Sequence, residues 1–206
     1  MIKLIISLFF SALLVSCATN SMKPVPAKTP FETGIGFKTQ IPPNGPWYEI
    51  KTPEGGGFVL GRDPSAQDKE DGSTVIAEVR YGQLDVKELK LKKPKEVLKF
   101  FETTMKEPAL ADRFEKTSNN FKMIAFKGAE CMTYEQISEG DKLVKSRKGE
   151  PMKMSVRGLV CLHPKDPGRY IRMAISQRIP NSRPFEDLKA SETQFYNTLV
   201  AGPLPK

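Results

Sequence analysis

The residue best suited to catalysis is His163, the sole histidine of a chain of 206 residues. An imidazole can act as a general base or contact a ligand, and here it would act with the charged residues that follow it, Asp166, Arg169 and Arg172. The alternative is an imidazole at a strand end, hydrogen-bonded to the backbone. Cys161 is too distant to be its nucleophile, because residues i and i+2 of a strand lie about 6 to 7 Å apart and the pair must be within hydrogen-bond reach. The sequence therefore favours a structural His163 and predicts no catalytic residue.

Two further segments resemble sites for phosphate or calcium, and neither has the required spacing. Residues 55–57 are a glycine run without the Gly-Lys-Ser/Thr ending of a phosphate-binding loop, so a hairpin turn is the better interpretation. The acidic run before Gly72 has Gln67 and Lys69 where an EF-hand loop needs carboxylates. No Cys or His spacing suits zinc. The sequence predicts no metal and no cofactor, although a calcium loop of another kind stays open.

The N-terminal segment accounts for one of the three cysteines. Residues 4–15 form an apolar run that is shorter than the roughly 20 residues of a membrane-spanning helix and typical of a secretory signal peptide. The run ends in Leu14-Val15-Ser16-Cys17, which resembles the lipobox of bacterial lipoprotein precursors. The resemblance implies that the Cys17 thiol receives a diacylglycerol, that the chain is cut before it, and that the new amine is acylated. Ala18 stands where an aspartate tends to retain such proteins in the inner membrane, which implies the outer membrane, facing the periplasm.

The rest of the chain is expected to contain a tether and one domain. Residues 1–16 are the predicted signal peptide, and residues 17–30 hold three prolines and few bulky apolar side chains. Such a composition is typical of a semi-extended linker, with a reach of about 40 Å. Residues 31–206 are predicted to form a single domain. The alternatives for the N-terminus are an ordinary signal peptide with an incidental Cys17 and a buried apolar segment.

The other two cysteines, Cys131 and Cys161, are predicted to form a disulfide. Both lie on predicted strands of an exported chain, and disulfides persist in such compartments. Turn signals lie between them, so their strands are expected to be antiparallel neighbours. A bond that closes about 30 residues would stabilise the fold by roughly 3 to 4 kcal/mol in the chain-entropy model. Two free buried thiols and a catalytic cysteine are the alternatives.

The charge balance is basic, with 32 Lys and Arg against 24 Asp and Glu. The cations concentrate in residues 87–99, before and within the first predicted helix, and in residues 138–153, which are predicted to protrude. Export and the lack of a recognition motif argue against nucleic acid as a partner. An anionic partner would instead be an envelope component, such as a phospholipid headgroup, or an acidic protein surface. The alternative is a solvated face that keeps the domain soluble.

The apolar pattern predicts strands in both halves of the domain, with a helix after each half. Strands are expected at residues 47–51, 58–60, 73–81, 121–127, 131–137, 154–163 and 169–178, and the main helices from residue 94 and over 184–201. Residues 31–45 are expected to wrap the surface, 63–72 to be a polar loop, and 109–116 to be a second short helix. This order predicts an α+β fold, an antiparallel sheet with two main helices packed on it. The order of elements is similar to the PsbP/Mog1-like α/β/α sandwich.

These patterns predict a membrane-anchored envelope lipoprotein whose domain is a non-catalytic binding or assembly module in the periplasm. The chain would meet the membrane through its N-terminal lipid, and an anionic envelope component or a protein would be a further partner. One alternative is an envelope enzyme that uses His163 with nearby Asp and Arg residues, which needs His163 in a cleft. The other is a carrier of an apolar ligand, which needs an apolar cavity of roughly 300 Å³ or more.

Overall fold

A computed structural model describes residues 23–43, 45–50, 56–91, 93–106 and 112–204. Cys17 and the predicted signal peptide lie outside these ranges. The strands are β1 (Pro24–Val25), β2 (Pro30–Glu32), β3 (Phe37–Gln40), β4 (Trp47–Ile50), β5 (Gly57–Arg62), β6 (Thr74–Gln83), β7 (Lys116–Phe126), β8 (Ala129–Glu139), β9 (Met152–His163), β10 (Asp166–Pro180) and β11 (Val200–Ala201). The helices are α1 (Ala66–Asp71), α2 (Pro94–Lys106) and α3 (Lys189–Asn197).

The fold is built on an eight-stranded antiparallel sheet in the order β1-β4-β5-β6-β10-β9-β8-β7. Helix α2 covers one face of this sheet, while α3 and a three-stranded sheet, β11-β3-β2, cover the other. The domain therefore has the predicted α+β class, an antiparallel sheet with helices packed on it. None of the helices within the described residues is long and apolar enough to cross a membrane.

Alternating side chains of the central strands divide the core into two layers. On β10, Ile171 and Met173 face the α3 side, whereas Ala174 faces the α2 side, as the two-residue period of a strand requires. Phe37 and Phe195 are fully buried on the α3 side. Burial of such a side chain contributes about 1.5 to 3 kcal/mol, so both layers help to hold the sheet.

Helix α2 follows the sequence prediction. It begins at Pro94, where a missing backbone N–H costs nothing, and Val97, Leu98 and Phe101 are buried against the sheet. The Glu96 carboxylate accepts a hydrogen bond from the backbone N–H of Lys93 at 3.0 Å, which satisfies one of the free donors at the start of the helix.

Residues 63–72 were expected to be a loop, and this prediction is wrong. Ser65 and Asp68 form a capping box, in which each side chain accepts a hydrogen bond from the other residue's backbone N–H. Gly72 ends the helix with a φ of 81°, a left-handed conformation that glycine adopts without strain. The segment thus forms α1, a helix held by its caps and not by an apolar stripe.

The segment 31–45, expected to wrap the surface, supplies two strands of the small sheet. Strand β3 pairs with β2 on one side and with β11 on the other, and Phe37 and Ile41 are buried. Strand β1 lies within the predicted tether, where Pro24 pairs with Tyr48 of β4. Pairing with the main sheet therefore begins before residue 31.

Two predictions of helix in the C-terminal half are also wrong in extent. Helix α3 begins only at Lys189, and Val200 pairs with Lys38 as part of β11. Of the short helix expected at 109–116, residues 109–111 lie outside the described ranges, residues 112–115 are not helical, and Lys116 begins β7.

Strands β7 and β8 are joined by Lys127 and Gly128, whose φ angles of 51° and 79° are those of a type I′ hairpin turn.

Candidate functional site

His163 is buried at the end of β9, with 2% of its surface exposed. Its Nδ1 accepts a hydrogen bond from the backbone N–H of Lys165 at 3.2 Å. Nε2 therefore carries the proton of the neutral ring and donates to the carbonyl of Gly202 at 3.0 Å. The ring also packs edge-on against Phe37, with centroids 5.3 Å apart. Both ring nitrogens are thus bonded to backbone, and the imidazole fastens the β9–β10 turn to the C-terminal segment.

Asp166, expected to orient the imidazole in the enzyme hypothesis, has other partners. Its carboxylate accepts a hydrogen bond from the backbone N–H of Gly168 at 3.0 Å and pairs with Nε of Arg169 at 3.1 Å. These contacts shape the turn between β9 and β10. The arrangement stabilises a hairpin end, and the Asp166 carboxylate does not polarise His163, whose ring nitrogens both bond to backbone groups.

Arg172 lies on the opposite face of the sheet from His163. Its neighbours on β10 two residues away, Tyr170 and Ala174, pack on the α2 side, whereas His163 packs with Phe37 on the α3 side. The structure therefore separates His163 from Arg172. Among the residues that the enzyme hypothesis named, the structure brings one pair of side chains together, Arg169 and Asp166.

Arg172 belongs to a charged cluster on the α2 side. The Glu78 carboxylate accepts hydrogen bonds from Arg172 and from Nε of Arg80 at 3.0 Å. Burial by itself would raise the pKa of Glu78, but the two arginines outweigh it and the pKa lies below its usual range. Burial raises the pKa of Tyr134 to about 12 and also raises the pKa of Tyr170.

These shifts hold each group of the cluster in its ordinary charge state near neutral pH. General acid–base catalysis works best with a pKa near the operating pH, and Glu78 and Tyr134 are moved away from it. Within the described ranges, no three His, Cys, Asp or Glu side chains gather closely enough to hold a metal ion. The cluster is therefore suited to fix the position of β6 against β10.

The disulfide predicted between Cys131 and Cys161 is present and confirmed. The two cysteines stand directly opposite each other on β8 and β9, with Cα atoms 4.1 Å apart. Both are completely buried in the α3-side core. The alternatives of free thiols and a catalytic cysteine do not describe this structure.

The two basic segments lie at opposite ends of the sheet. The backbone N–H of Leu84, before α2, donates to the carbonyl of Gly168 in the β9–β10 turn at 2.7 Å, which places residues 87–91 and 93–99 near that end. Residues 140–151 connect β8 to β9 at the other end. The cations therefore form two separate patches and not one continuous face.

Two ion-pair groups were missed by the sequence interpretation. Arg113 and Asp141 form a buried pair at 2.6 Å, and Arg183 bridges Asp68 at 2.8 Å and Asp71 at 3.2 Å. The spacing of Ser65 and Asp68 was the available signal for α1, since Ser-x-x-Asp resembles a capping box. The Arg113–Asp141 pair had no local signal, because its members are far apart in sequence.

The described residues include one open depression that bears on the carrier hypothesis. It has a volume of about 530 Å³ and is lined by Gln83, Leu84, Asp85, Val86, Lys87 and Asp166. Four of these six residues carry polar or charged side chains, whereas an apolar ligand needs a mainly hydrophobic, enclosing cavity. The depression does not support a carrier function.

No family model matches the chain, and no curated protein sequence matches it. Among solved structures, the chain is similar to LpqN, described as involved in cell envelope biogenesis of Mycobacterium tuberculosis. The TM-score is 0.43 at 12% identity, over 89% of this chain and 93% of that one. A mutant of the protein Mog1 is also similar, with a TM-score of 0.42 at 12% identity, over 88% of this chain and 96% of that one. At these values neither likeness assigns an activity to this chain.

Proposed function

We propose that the chain is a lipid-anchored protein of the bacterial cell envelope, whose domain binds a partner and performs no catalysis. The observation that carries the proposal is the buried disulfide between Cys131 and Cys161. Disulfides of this kind form and persist in oxidising compartments such as the periplasm. Export to that compartment is also what the signal-peptide pattern of residues 1–16 implies.

The anchor is proposed from the lipobox-like sequence Leu14-Val15-Ser16-Cys17. Acylation of Cys17 at both its thiol and its amine would give more than one acyl chain, which makes membrane attachment stable where a single chain is marginal. Ala18 supports the outer membrane, facing the periplasm, as the destination.

The absence of catalysis is proposed from the contacts of His163. Since Nδ1 accepts from Lys165 and Nε2 donates to Gly202, a substrate could use the imidazole only after a backbone hydrogen bond breaks. Glu78 and Arg172 neutralise each other within the α2-side cluster. These contacts support a domain that acts through its surface.

Metabolic labelling tests the anchor directly. The full chain is expressed in a bacterium with two membranes, in the presence of an alkyne analogue of palmitate. We expect the wild-type chain to take up the label and to float with membrane vesicles. Cys17→Ser should lose both, while a Cys131→Ala and Cys161→Ala double variant, as the matched control, should keep the label. Label that survives Cys17→Ser would refute the proposal.

Density-gradient separation of the two membranes tests the destination. We expect the wild-type chain in the outer-membrane fraction and Ala18→Asp in the inner-membrane fraction, because an aspartate after the lipidated cysteine tends to retain lipoproteins there. A wild-type chain in the inner-membrane fraction would show that the outer-membrane assignment is wrong. An Ala18→Asp chain that stays with the outer membrane would contradict the role of residue 18, while the lipid anchor itself is judged by the labelling experiment.

A further inference from the structure

The connection between β8 and β9, residues 140–151 and here named the basic loop, presents an unusually exposed apolar side chain. Leu143 is 77% exposed, compared with 51% for Val200 and 37% for Met123, the other exposed large apolar residues in the described ranges. Four exposed cations surround Leu143 in sequence, namely Lys142, Lys145, Arg147 and Lys148. An exposed apolar side chain flanked by cations is the pattern of a contact with an anionic lipid surface.

Contacts at the base of the basic loop fix its shape. Asp141 is buried against Arg113, and its Oδ1 also accepts hydrogen bonds from the backbone N–H groups of Leu143 at 3.0 Å and Val144 at 3.1 Å. The second half is closed by the backbone N–H of Ser146, which donates to the carbonyl of Glu150 at 2.7 Å. The exposure of Leu143 is therefore imposed by the fold.

The charge of the basic loop is only partly balanced by the domain. Asp141 is committed to the buried arginine, and Lys148 pairs with Glu70 at 2.6 Å. The Lys142 amine donates to a backbone carbonyl at 3.3 Å, which leaves its charge unopposed. For Lys145, the described residues show no ion pair. The second carboxylate of the loop, Glu150, accepts a hydrogen bond from Ser182 at 2.9 Å. Four cations thus stand against two carboxylates, and the basic loop keeps a net positive charge.

The position of β1 brings this end of the sheet within reach of the proposed lipid. Only six residues lead from Cys17 to Lys23, and an extended chain of that length spans at most about 20 Å. Through the strand pairings, Lys23 is in register with Glu135. Because β1 runs in the same direction as β8, the chain enters β1 from the side of the β9–β10 turn. That residue stands about 13 Å before the end of β8, where the basic loop begins. The maximal reach of the tether exceeds this height, so a tether that turns back along the sheet reaches the level of the basic loop.

We propose that the basic loop is a second membrane contact, in which Leu143 enters the headgroup region of an anionic phospholipid bilayer and the flanking lysines bind lipid phosphates. The argument from tether length rests on the proposed lipidation of Cys17, whereas the contact itself is a property of the folded domain. The basic loop would fix the orientation of the domain on the membrane, and the lipid would fix its location.

A dye placed at position 143 of the basic loop tests this contact in the full chain. A polarity-sensitive fluorophore is attached to Leu143→Cys, and in a matched control to Val200→Cys, with the unsubstituted chain as the control for labelling elsewhere. Each chain is combined with vesicles of phosphatidylglycerol or of phosphatidylcholine. We expect the emission at position 143 to shift to shorter wavelength on phosphatidylglycerol only, and the emission at position 200 to stay unchanged.

Charge removal gives the magnitude. Each lysine near an anionic surface contributes about a five-fold gain in binding. The double variant Lys142→Gln with Lys145→Gln should therefore weaken the binding of the chain labelled at position 143 to phosphatidylglycerol vesicles by roughly 25-fold. Equal emission at positions 143 and 200 on phosphatidylglycerol would overturn the proposal. An equal emission shift on both lipids would also overturn it. So would an emission at position 143 that changes only when envelope protein is added. Flotation of the same samples reports separately on the lipid anchor, so failure of the anchor is distinguished from failure of the basic loop.

Discussion

Removal of the disulfide should destabilise the domain by an amount that the sequence separation sets. Cys131 and Cys161 enclose a loop with a separation of 30 residues, for which the loss of chain entropy on cross-linking gives about 3.6 kcal/mol at 25 °C. For a domain of this size, each kcal/mol shifts the unfolding temperature by about 2 to 4 °C. We therefore expect the midpoint to fall by about 7 to 15 °C when the bond is absent.

Thermal unfolding monitored by circular dichroism measures this shift. The unfolding temperatures of the oxidised and the reduced wild-type chain are compared, where the reduced chain is prepared by unfolding it in reductant. This comparison removes the bond and keeps the same side chains. The Cys131→Ala and Cys161→Ala double variant should unfold near the reduced wild type, or somewhat below it, since it also loses two buried sulfur atoms. Reductant should not affect the variant. If the reduced and oxidised wild-type chains unfold within about 2 °C of each other, the bond does not constrain the unfolded chain as argued.

Two further predictions concern the fastening of the chain ends and the response to acid. His163→Phe should lower the free energy of unfolding by about 2 to 4 kcal/mol, because two backbone groups lose their partners. Asp166→Asn, in the same turn, should cost less in the same urea titration, and equal losses would contradict the role of the imidazole. Burial would raise the pKa of Asp141, but its hydrogen bonds from Arg113 and the loop backbone lower it overall. The contribution of Asp141 to the free energy of unfolding is therefore complete above the unfolded pKa of about 3.9, and it is lost as the pH falls through the pKa of the folded state. Stability measured from pH 6 to 2 should fall less steeply in Asp141→Asn, and an unchanged slope would be inconsistent with this linkage.

The sequence predicted the elements whose patterns are strong and local. Helix α2 has a full apolar stripe that begins after Pro94, and strand β10 alternates over most of its length, so both were found. Helix α1 was missed because all its residues after Ala66 are polar, and its stability comes from the capping box of Ser65 and Asp68 together with Arg183. The first half of β7 is also polar, and only its pairing with β8 makes it a strand.

The sequence could not predict which residues of the candidate site lie together, because that depends on the register of the strands. His163 and Arg172 looked close because one hairpin carries both. Their relative faces depend on the pairing of Ile171 with Cys161 and on an irregularity between Asp166 and Tyr170, which shifts the register by an amount that no local pattern reveals. The disulfide was predictable because Cys131 and Cys161 needed only adjacent strands and an oxidising compartment.

The shortness of the proposed tether decides which surface of the domain a periplasmic partner can reach. A domain of about 180 residues has a radius of gyration of about 16 Å, so its diameter exceeds the reach of about 20 Å from Cys17 to Lys23. Under the proposed lipidation of Cys17, Lys23 would stay within about 20 Å of the bilayer. With the basic loop at the lipid, the β9–β10 turn and the cations before α2 point away from the membrane, because they lie at the opposite end of the sheet. Under this proposal a soluble acidic partner would have free access to that patch, whereas the cations of the basic loop would be engaged by lipid.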